Sequence, residues 1–515
     1  MITPPQNNRR PVPTCPGIRW SLILLAGAAC LGAAASPADA QTTVSPADPN
    51  NTRTNIDPLG TPVAPAAAEG NAPGFLTGIL KRDTLLGNAG GLRTWLGQYG
   101  ISMTLTDVSD VLGNVSGGID KSATYNALTT LTVQMDTQKA FGWEGGTFNI
   151  SGLQIRGRSL SEFYLANLQT VSSAAAAPTT RLWELWYQQA FADGAFDVRL
   201  GQQSADQEFL ASKEAALYLN SAMGWPMLNA YNLYAGGPSN PLSSLGVRFR
   251  GQPTSDITVL AGVFQDNPPG GPFNNDSQLR GSTRWGGNFN LRTGALFIAE
   301  VQYALNQPAN GDMDDGHGSA GLPGTYKLGA WFDTASFPSQ RYDTMGVPLA
   351  SPDSNGIPRS NLHNAGLYGL IEQMIWRPDP EGPRSLSVFA RVIGTPSEQN
   401  LISFSANAGV NLKALLPDRD NDTFGIGFGI AKVSSAASGF NQDTNFYGTS
   451  PYPVPVRGSE TFLEITYQIQ VTPWLAVQPD FQYIYNPGGG IANPNNPALR
   501  VKNEAVLGVR TAVTF

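Results

Sequence analysis

Asn503-Glu-Ala-Val-Leu-Gly-Val-Arg-Thr-Ala-Val-Thr-Phe515 closes the chain, and its reading decides the fold. Side chains alternate faces along a strand, so Leu507, Val509, Val513 and the terminal ring share one side. Gly508, Arg510, Ala512 and Thr514 share the other. An apolar side paired with a small or polar side is the pattern of a strand in a transmembrane β-barrel, apolar toward lipid and polar toward the lumen. A soluble sandwich can end on such a strand too, so the rest of the chain must be read with it.

The amino end points to export. Arg9, Arg10 and Arg19 precede an apolar stretch from about Leu22 to Ala35, and Ala38-Asp39-Ala40 supplies a small-x-small site. This predicts a signal peptide over residues 1–40, cleaved after Ala40. The apolar stretch falls short of the ~20 residues a membrane helix needs. Cys30 lacks a Leu-like residue three positions earlier, which argues against lipoprotein processing. Both cysteines, Cys15 and Cys30, lie in this segment, so the mature chain has no disulfide or thiolate chemistry. Taking three Arg and one Asp from 32 basic and 39 acidic residues leaves 29 against 38, a net charge of −9. That balance argues against a nucleic-acid partner. Residues 41–72, rich in Pro, Ala, Asn and Thr without apolar periodicity, read as a disordered periplasmic leader. The remainder, 73–515, reads as one barrel domain.

Charged residues make up 14% of the chain and the mean hydropathy is −0.17. Such averages miss a barrel, which needs apolar residues only at alternate positions. From Ile101 onward the chain is a series of alternating segments separated by Gly, Pro, Asn and Asp. Leu463, Ile465, Tyr467 and Ile469, for example, alternate with Glu464, Thr466, Gln468 and Gln470. Strands are expected to start near Ile101, Ala127, Thr147, Arg181, Ala195, Ser244, Asp256, Phe289, Thr325, Ala365, Ser385, Leu401, Thr423, Thr461, Trp474 and Asn503. That makes an all-β, antiparallel transmembrane barrel of about 16 strands, an even number as closure requires. Trp183, Tyr187, Trp376, Trp474 and Tyr485 suit interfacial girdles. Three connections are long: Gln203 to Ser243, with a helix-like stretch Asp206–Tyr218; Asn306 to Gly324; and Pro/Ser-rich Phe337 to Asn364. The first, both aromatic and polar, is expected to constrict the lumen.

Three stretches carry a family resemblance. Arg82-Asp-Thr-Leu-Leu-Gly-Asn-Ala-Gly-Gly-Leu-Arg-Thr-Trp-Leu-Gly-Gln-Tyr-Gly-Ile101 resembles the opening of the OprB-type carbohydrate-selective porins, with a short helix before the first strand. Leu328-Gly-Ala-Trp-Phe-Asp333 and Val477-Gln-Pro-Asp-Phe-Gln-Tyr-Ile-Tyr-Asn-Pro-Gly-Gly489 resemble it in the same order. Asn88 stands where Asp is usual. The resemblance implies a sixteen-stranded outer-membrane barrel of a Gram-negative bacterium. It would pass mono- or small oligosaccharides through an eyelet of Arg, Glu and aromatic residues, with no chemical step and no cofactor. Terminal Phe515 looks like the residue that barrel-assembly machinery reads. The oligomer stays open between a monomer and a homotrimer.

Candidate eyelet residues follow from the polar faces. Arg156 and Arg158 share a face with Gln154, opposite Leu153 and Ile155. Glu184 and Trp186 share one with Gln188; Arg199 joins Asp197; Arg248 joins Arg250; Glu300, Glu372 and Arg391 occupy polar faces of later strands. A charge facing lipid costs about 2–4 kcal/mol at midplane, so all are expected in the lumen or at its rims. The competing reading is that they stiffen the wall and touch no solute.

Asp418–Asp422 lacks the Gly and closing Glu of a calcium loop, and Asp312–His317 reads as a solvated loop. His317 and His363, the only histidines, fall in expected loops, which disfavours a His-based catalytic site. Two other classes stay open: a barrel enzyme such as a lipid hydrolase, and a soluble exported β-rich binding protein.

Overall fold

The computed structural model describes residues 78–273, 284–287, 289–306 and 321–515. The expected signal peptide and leader, both cysteines, the first residues of the expected barrel domain and Asp312–His317 lie outside the described residues.

Sixteen antiparallel strands close into one barrel. In chain order they are β1 (Ile101–Gly118), β2 (Ala123–Asp136), β3 (Gly146–Gly157), β4 (Thr179–Phe191), β5 (Phe196–Gln203), β6 (Ser244–Thr254), β7 (Ile257–Gln265) and β8 (Ala295–Leu305). Then follow β9 (Gly324–Asp343), β10 (Pro358–Trp376), β11 (Ser385–Gly394), β12 (Ile402–Lys413), β13 (Thr423–Val433), β14 (Ser459–Thr472) and β15 (Leu475–Tyr485). A small hairpin, β16 (Ala492–Asn493) with β17 (Asn496–Arg500), precedes the last barrel strand, β18 (Lys502–Thr514). Each strand pairs with its neighbour in sequence, and β18 closes the ring between β1 and β15. At that seam Asp110 and Arg510 share a register position and pair in a fork, Nε to Oδ1 at 2.7 Å and Nη2 to Oδ2 at 2.8 Å. The expected apolar side of β18 does face outward: Leu507 and Val509 are exposed while Arg510 is buried.

The Arg82–Ile101 segment braces this seam from one end. Leu85 N donates to Thr514 O at 2.8 Å, and Arg93, on the helix Leu92–Gln98, donates to the terminal Phe515 carbonyl. Asn88 serves where Asp is usual, its Oδ1 accepting from Thr94 N at 2.9 Å.

Several local expectations are corrected. β8 begins six residues after Phe289, and β10 begins at Pro358 rather than Ala365. Half of the Pro/Ser-rich connection is therefore strand, its two ends lying in β9 and β10. Irregularities in the β9–β10 pairing accommodate it, and Pro338 pairs opposite Ser360. His363 sits at one of these irregularities within β10, with φ 68°, not in a loop. Trp183 leaves the expected girdle because a bulge opposite Ser151 and Gly152 turns it inward, where it is buried. Asp206–Tyr218 is not a helix but two separate 3-10 turns, Ala205–Gln207 and Ala215–Leu217. Its peptide groups are taken by the barrel wall instead.

Chain enters the barrel. Two connections, 158–178 and 204–243, fold into it and pack Leu165, Phe209, Tyr218 and Met223 against wall residues such as Ile298, Trp331, Phe389 and Phe462. Val301, Leu328, Leu367 and Phe428 remain exposed on the outside. Apolar surface thus faces both ways, inward to the infolded chain and outward as a lipid-facing band.

Candidate functional site

The segment 204–243 hangs from charged wall residues by its backbone. Glu184 Oε1 accepts from Ser204 N at 2.9 Å where the segment enters. Glu300 Oε2 accepts from Leu210 N at 2.9 Å and from the Tyr368 hydroxyl at 2.8 Å. Glu372 Oε1 accepts from Ser212 Oγ at 2.6 Å and Glu214 N at 2.9 Å. Glu464 takes Leu219 N and Asn220 N at 2.5 and 3.2 Å. Arg391 does the converse, donating to the carbonyls of Leu210, Ala222, Met223 and Gly224 at 2.7–3.0 Å. A helix would have consumed these same peptide groups, which explains why Asp206–Tyr218 does not form one. The other infolded connection uses the same device: Glu460 accepts from Leu168 N, Gln169 N and Gly488 N, each at 2.7 Å.

Small residues make room for this segment. On β13, Gly425, Gly427 and Gly429 face inward between exposed Ile426 and Phe428. A Cβ at Gly427 would lie 2.6 Å from Tyr218 Cε1 and 2.7 Å from Met223 Cε. The alternating glycines were visible in the sequence as Gly-Ile-Gly-Phe-Gly; nothing local says that they admit a distant loop.

A second group of charges, on β4–β6, meets the same segment differently. Arg199 Cζ lies 4.0 Å from the centroid of the Trp186 indole, and its Nε and Nη2 donate to Gln188 Oε1 at 3.1 and 2.9 Å. Glu208, from the infolded segment, sits 3.3 Å from Arg199 Nη2 and 2.5 Å from Arg248 Nε. Arg248 also pairs with Asp197, which Arg250 approaches at 3.4 Å. Trp186 Nε1 donates to Glu184 Oε2 at 3.2 Å. Burial raises the Glu208 carboxyl, but Arg199, Arg248 and Arg250 together carry it below its ordinary value, so it is a carboxylate at neutral pH. Burial pushes the neighbouring Asp206 up, against hydrogen bonds from Ser204 and Asn240.

Exposure separates anchors from candidate ligands. Arg248 is 1% exposed and its charge is spent on Asp197 and Glu208, whereas the Arg199 and Glu208 side chains keep 13% and 24%. Of the residues singled out from sequence, Glu184, Trp186, Arg199 and Arg248 are brought together. Glu300, Glu372 and Arg391 hold the loop. Glu208 was missed, because its importance arises only when the loop folds in.

Arg156 requires a correction. The grouping of Gln154 and Arg156 opposite Leu153 and Ile155 is right, but the faces are reversed. Leu153 and Ile155 are buried inside against Val108, Leu128, Ala174 and Trp183, and Arg156 is on the outer face with Asp107 and Thr129. The infolded 158–178 connection, through Ala174, supplies the apolar partner that makes an apolar inner face stable. Arg158 lies just past the end of β3, its Cζ 4.0 Å over the Phe163 ring.

A sixteen-stranded barrel with an apolar outside, a chain segment folded into its lumen and charged and aromatic side chains clustered between that segment and the wall defines a porin. The family model described as "Carbohydrate-selective porin, OprB family" matches residues 120–515, and the chain belongs to that family. Porin B of Pseudomonas aeruginosa is 26% identical over 474 residues, covering 89% of this chain and 95% of that one. Among solved structures, the high-pH form of Pseudomonas putida OprB superposes with a TM-score of 0.70 at 26% identity, over 84% of this chain and 99% of that one. The low-pH form of the same protein matches with a TM-score of 0.51 at 19% identity, a likeness of fold. Family and fold place the chain among Gram-negative outer-membrane channels rather than enzymes.

Proposed function

We propose that this sugar porin selects its solutes at the Arg199–Glu208–Trp186 constriction. The observation that carries this reading is the residual exposure of the Arg199 and Glu208 side chains beside the Trp186 ring, where Arg248 and Asp197 are buried against each other. Sugar hydroxyls both donate and accept, so a guanidinium and a carboxylate side by side can replace their water. The indole offers an apolar face to a pyranose ring. Each contact must stay weak, because a conducted solute has to leave again. The substrates on this reading are mono- or small oligosaccharides moving by passive diffusion, without cofactor or chemical step.

Residues 1–40 would direct export and 41–72 would act as a periplasmic leader. Phe515, held at the seam by Arg93, is the proposed point of contact with barrel-assembly machinery, and the exposed apolar outer band the contact with lipid. Single-channel conductance in a planar bilayer, titrated with glucose, tests the channel reading. Saturable block that weakens in Arg199→Ala supports it. Openings indifferent to every sugar would remove the constriction from sugar recognition, and no openings from folded protein would return the enzyme and binding-protein readings.

A further inference from the structure

Two buried aspartates beside β7–β9 take no part in the constriction. Asp266 follows the end of β7, and Asp333 lies on β9 in register with Leu296 of β8. They are 1% and 0% exposed. In each, one carboxylate oxygen is hydrogen-bonded and the other is not. Asp266 Oδ1 accepts from Thr293 Oγ1 at 2.6 Å and from Gln265 Nε2 at 3.3 Å, and Asp333 Oδ1 accepts from Ala335 N at 2.8 Å. Asp266 Oδ2 and Asp333 Oδ2 are buried and accept no hydrogen bond. The two carboxylates lie within electrostatic reach of each other, and among the described residues no Lys or Arg pairs with either. A buried anion without countercharge is costly, and a second beside it makes the cost larger.

There is space next to them. Tyr234 of the infolded segment, Asp266, Asn267, Thr293 and Thr334 line a cavity of about 430 Å³ whose lining includes no basic side chain, His or Cys. Gly294 keeps one corner of it open. A Cβ there would lie 2.9 Å from each of Asp266 Oδ2, Thr334 Oγ1 and Ala335 N. A free carboxylate oxygen and a hydroxyl oxygen thus face one spot, and the amide that orients Asp333 borders it. Tyr234 reaches the same strand, its hydroxyl donating to Ser336 O at 2.6 Å.

We infer that Asp266 and Asp333 hold a divalent cation, calcium by its chemistry, which ties the end of β7 to β9 beside the infolded segment. The inference rests on the fold alone, not on which solute the channel conducts. Two carboxylates supply the charge that a divalent ion neutralises. The donors on offer are all oxygens, which suits a hard cation and not a thiolate- or imidazole-seeking one. Calcium accepts about 6–8 oxygens in irregular arrangement, carbonyls and water among them, so two carboxylates and a hydroxyl are a sufficient protein framework.

The test uses the full chain, free of lipopolysaccharide, folded in mild detergent and stripped with EDTA. Isothermal titration with CaCl2 should show saturable binding of one ion per protomer. Asp333→Asn and Asp266→Asn should each weaken it by ~10-fold or more; Asp420→Asn, on an exposed turn, should not. Thermal unfolding gives a readout that a purely structural carboxylate would not move. In EDTA, Asp333→Asn should melt at or above the parent, since it removes an unpaired charge. In CaCl2 the parent should melt higher and the variant stay where it was, reversing the order. A parent that takes up no Ca²⁺ at ~10 mM overturns the inference and leaves the pair to share a proton. Binding that both variants retain overturns it as well, by placing the ion elsewhere. If Asp333→Asn does not fold, as heat-modifiable mobility reports, Asp266→Asn decides.

Discussion

The Arg199 guanidinium lies over the Trp186 ring, Cζ 4.0 Å from the indole centroid, while Nη2 still reaches Glu208 at 3.3 Å. The cation is thus positioned by a ring, a Gln188 carbonyl and a carboxylate at once, which fixes the geometry on which the proposed sugar contact rests.

Trp186→Leu should weaken glucose block about 2–30-fold, the range of a cation–π contact of ~0.5–2 kcal/mol, together with loss of the flat face. The barrel fold should survive, because the residue anchors no loop backbone. Unchanged block constants in bilayer titrations would show that the ring is only packing.

Arg391 is a different kind of charge. It is 1% exposed and holds four carbonyls of the infolded segment. Arg391→Met should cost on the order of 3 kcal/mol or more, since a hydrogen bond to a charged group contributes about 1.5–3 kcal/mol. The expected readouts are a lower Tm and a larger, noisier single-channel conductance, as the segment loosens. A variant with wild-type conductance and Tm would show that the wall carboxylates suffice.

Gly427→Val should act on the same segment by volume alone. Its side chain would meet Tyr218 and Met223 where a Cβ already lies within 2.7 Å. Overpacking of this sort costs about 1–3 kcal/mol. Conductance should rise as the segment is displaced, whereas substitution at lipid-facing Phe428 by Leu should leave it unchanged.

Glu208 predicts a pH response. Burial raises it, but the three surrounding guanidiniums win and hold it below its ordinary 4.5. A carboxyl depressed in the folded state stabilises it fully above the unfolded value, and that stabilisation disappears as pH falls through the folded value. Glucose block should therefore be flat from neutrality down to about pH 5 and fail only in stronger acid. Glu208→Gln should remove that acid step. A midpoint near pH 6 in the parent would show that another group controls the constriction.

The terminal strand and the sixteen alternating segments were legible because period-two alternation is local and each strand carries it in its own residues; the infolding of 204–243 was expected from its length and its mixed aromatic and polar content. Which of two faces turns inward was not always legible. On β3 the sequence shows Gln154 and Arg156 opposite Leu153 and Ile155, and the usual rule sends the charges to the lumen. The structure reverses them because Ala174, from a connection twenty residues further on, meets Leu153 and Ile155 inside. The roles of Glu300, Glu372 and Arg391 were likewise settled by where the peptide groups of residues 210–224 arrive. Alternation by itself determined that this chain is built from a series of half-apolar strands, which the export signal and the family resemblance turned into an expected barrel. Only the tertiary structure decided which charges satisfy buried backbone and which keep some exposure, because that depends on long-range contacts absent from any single strand.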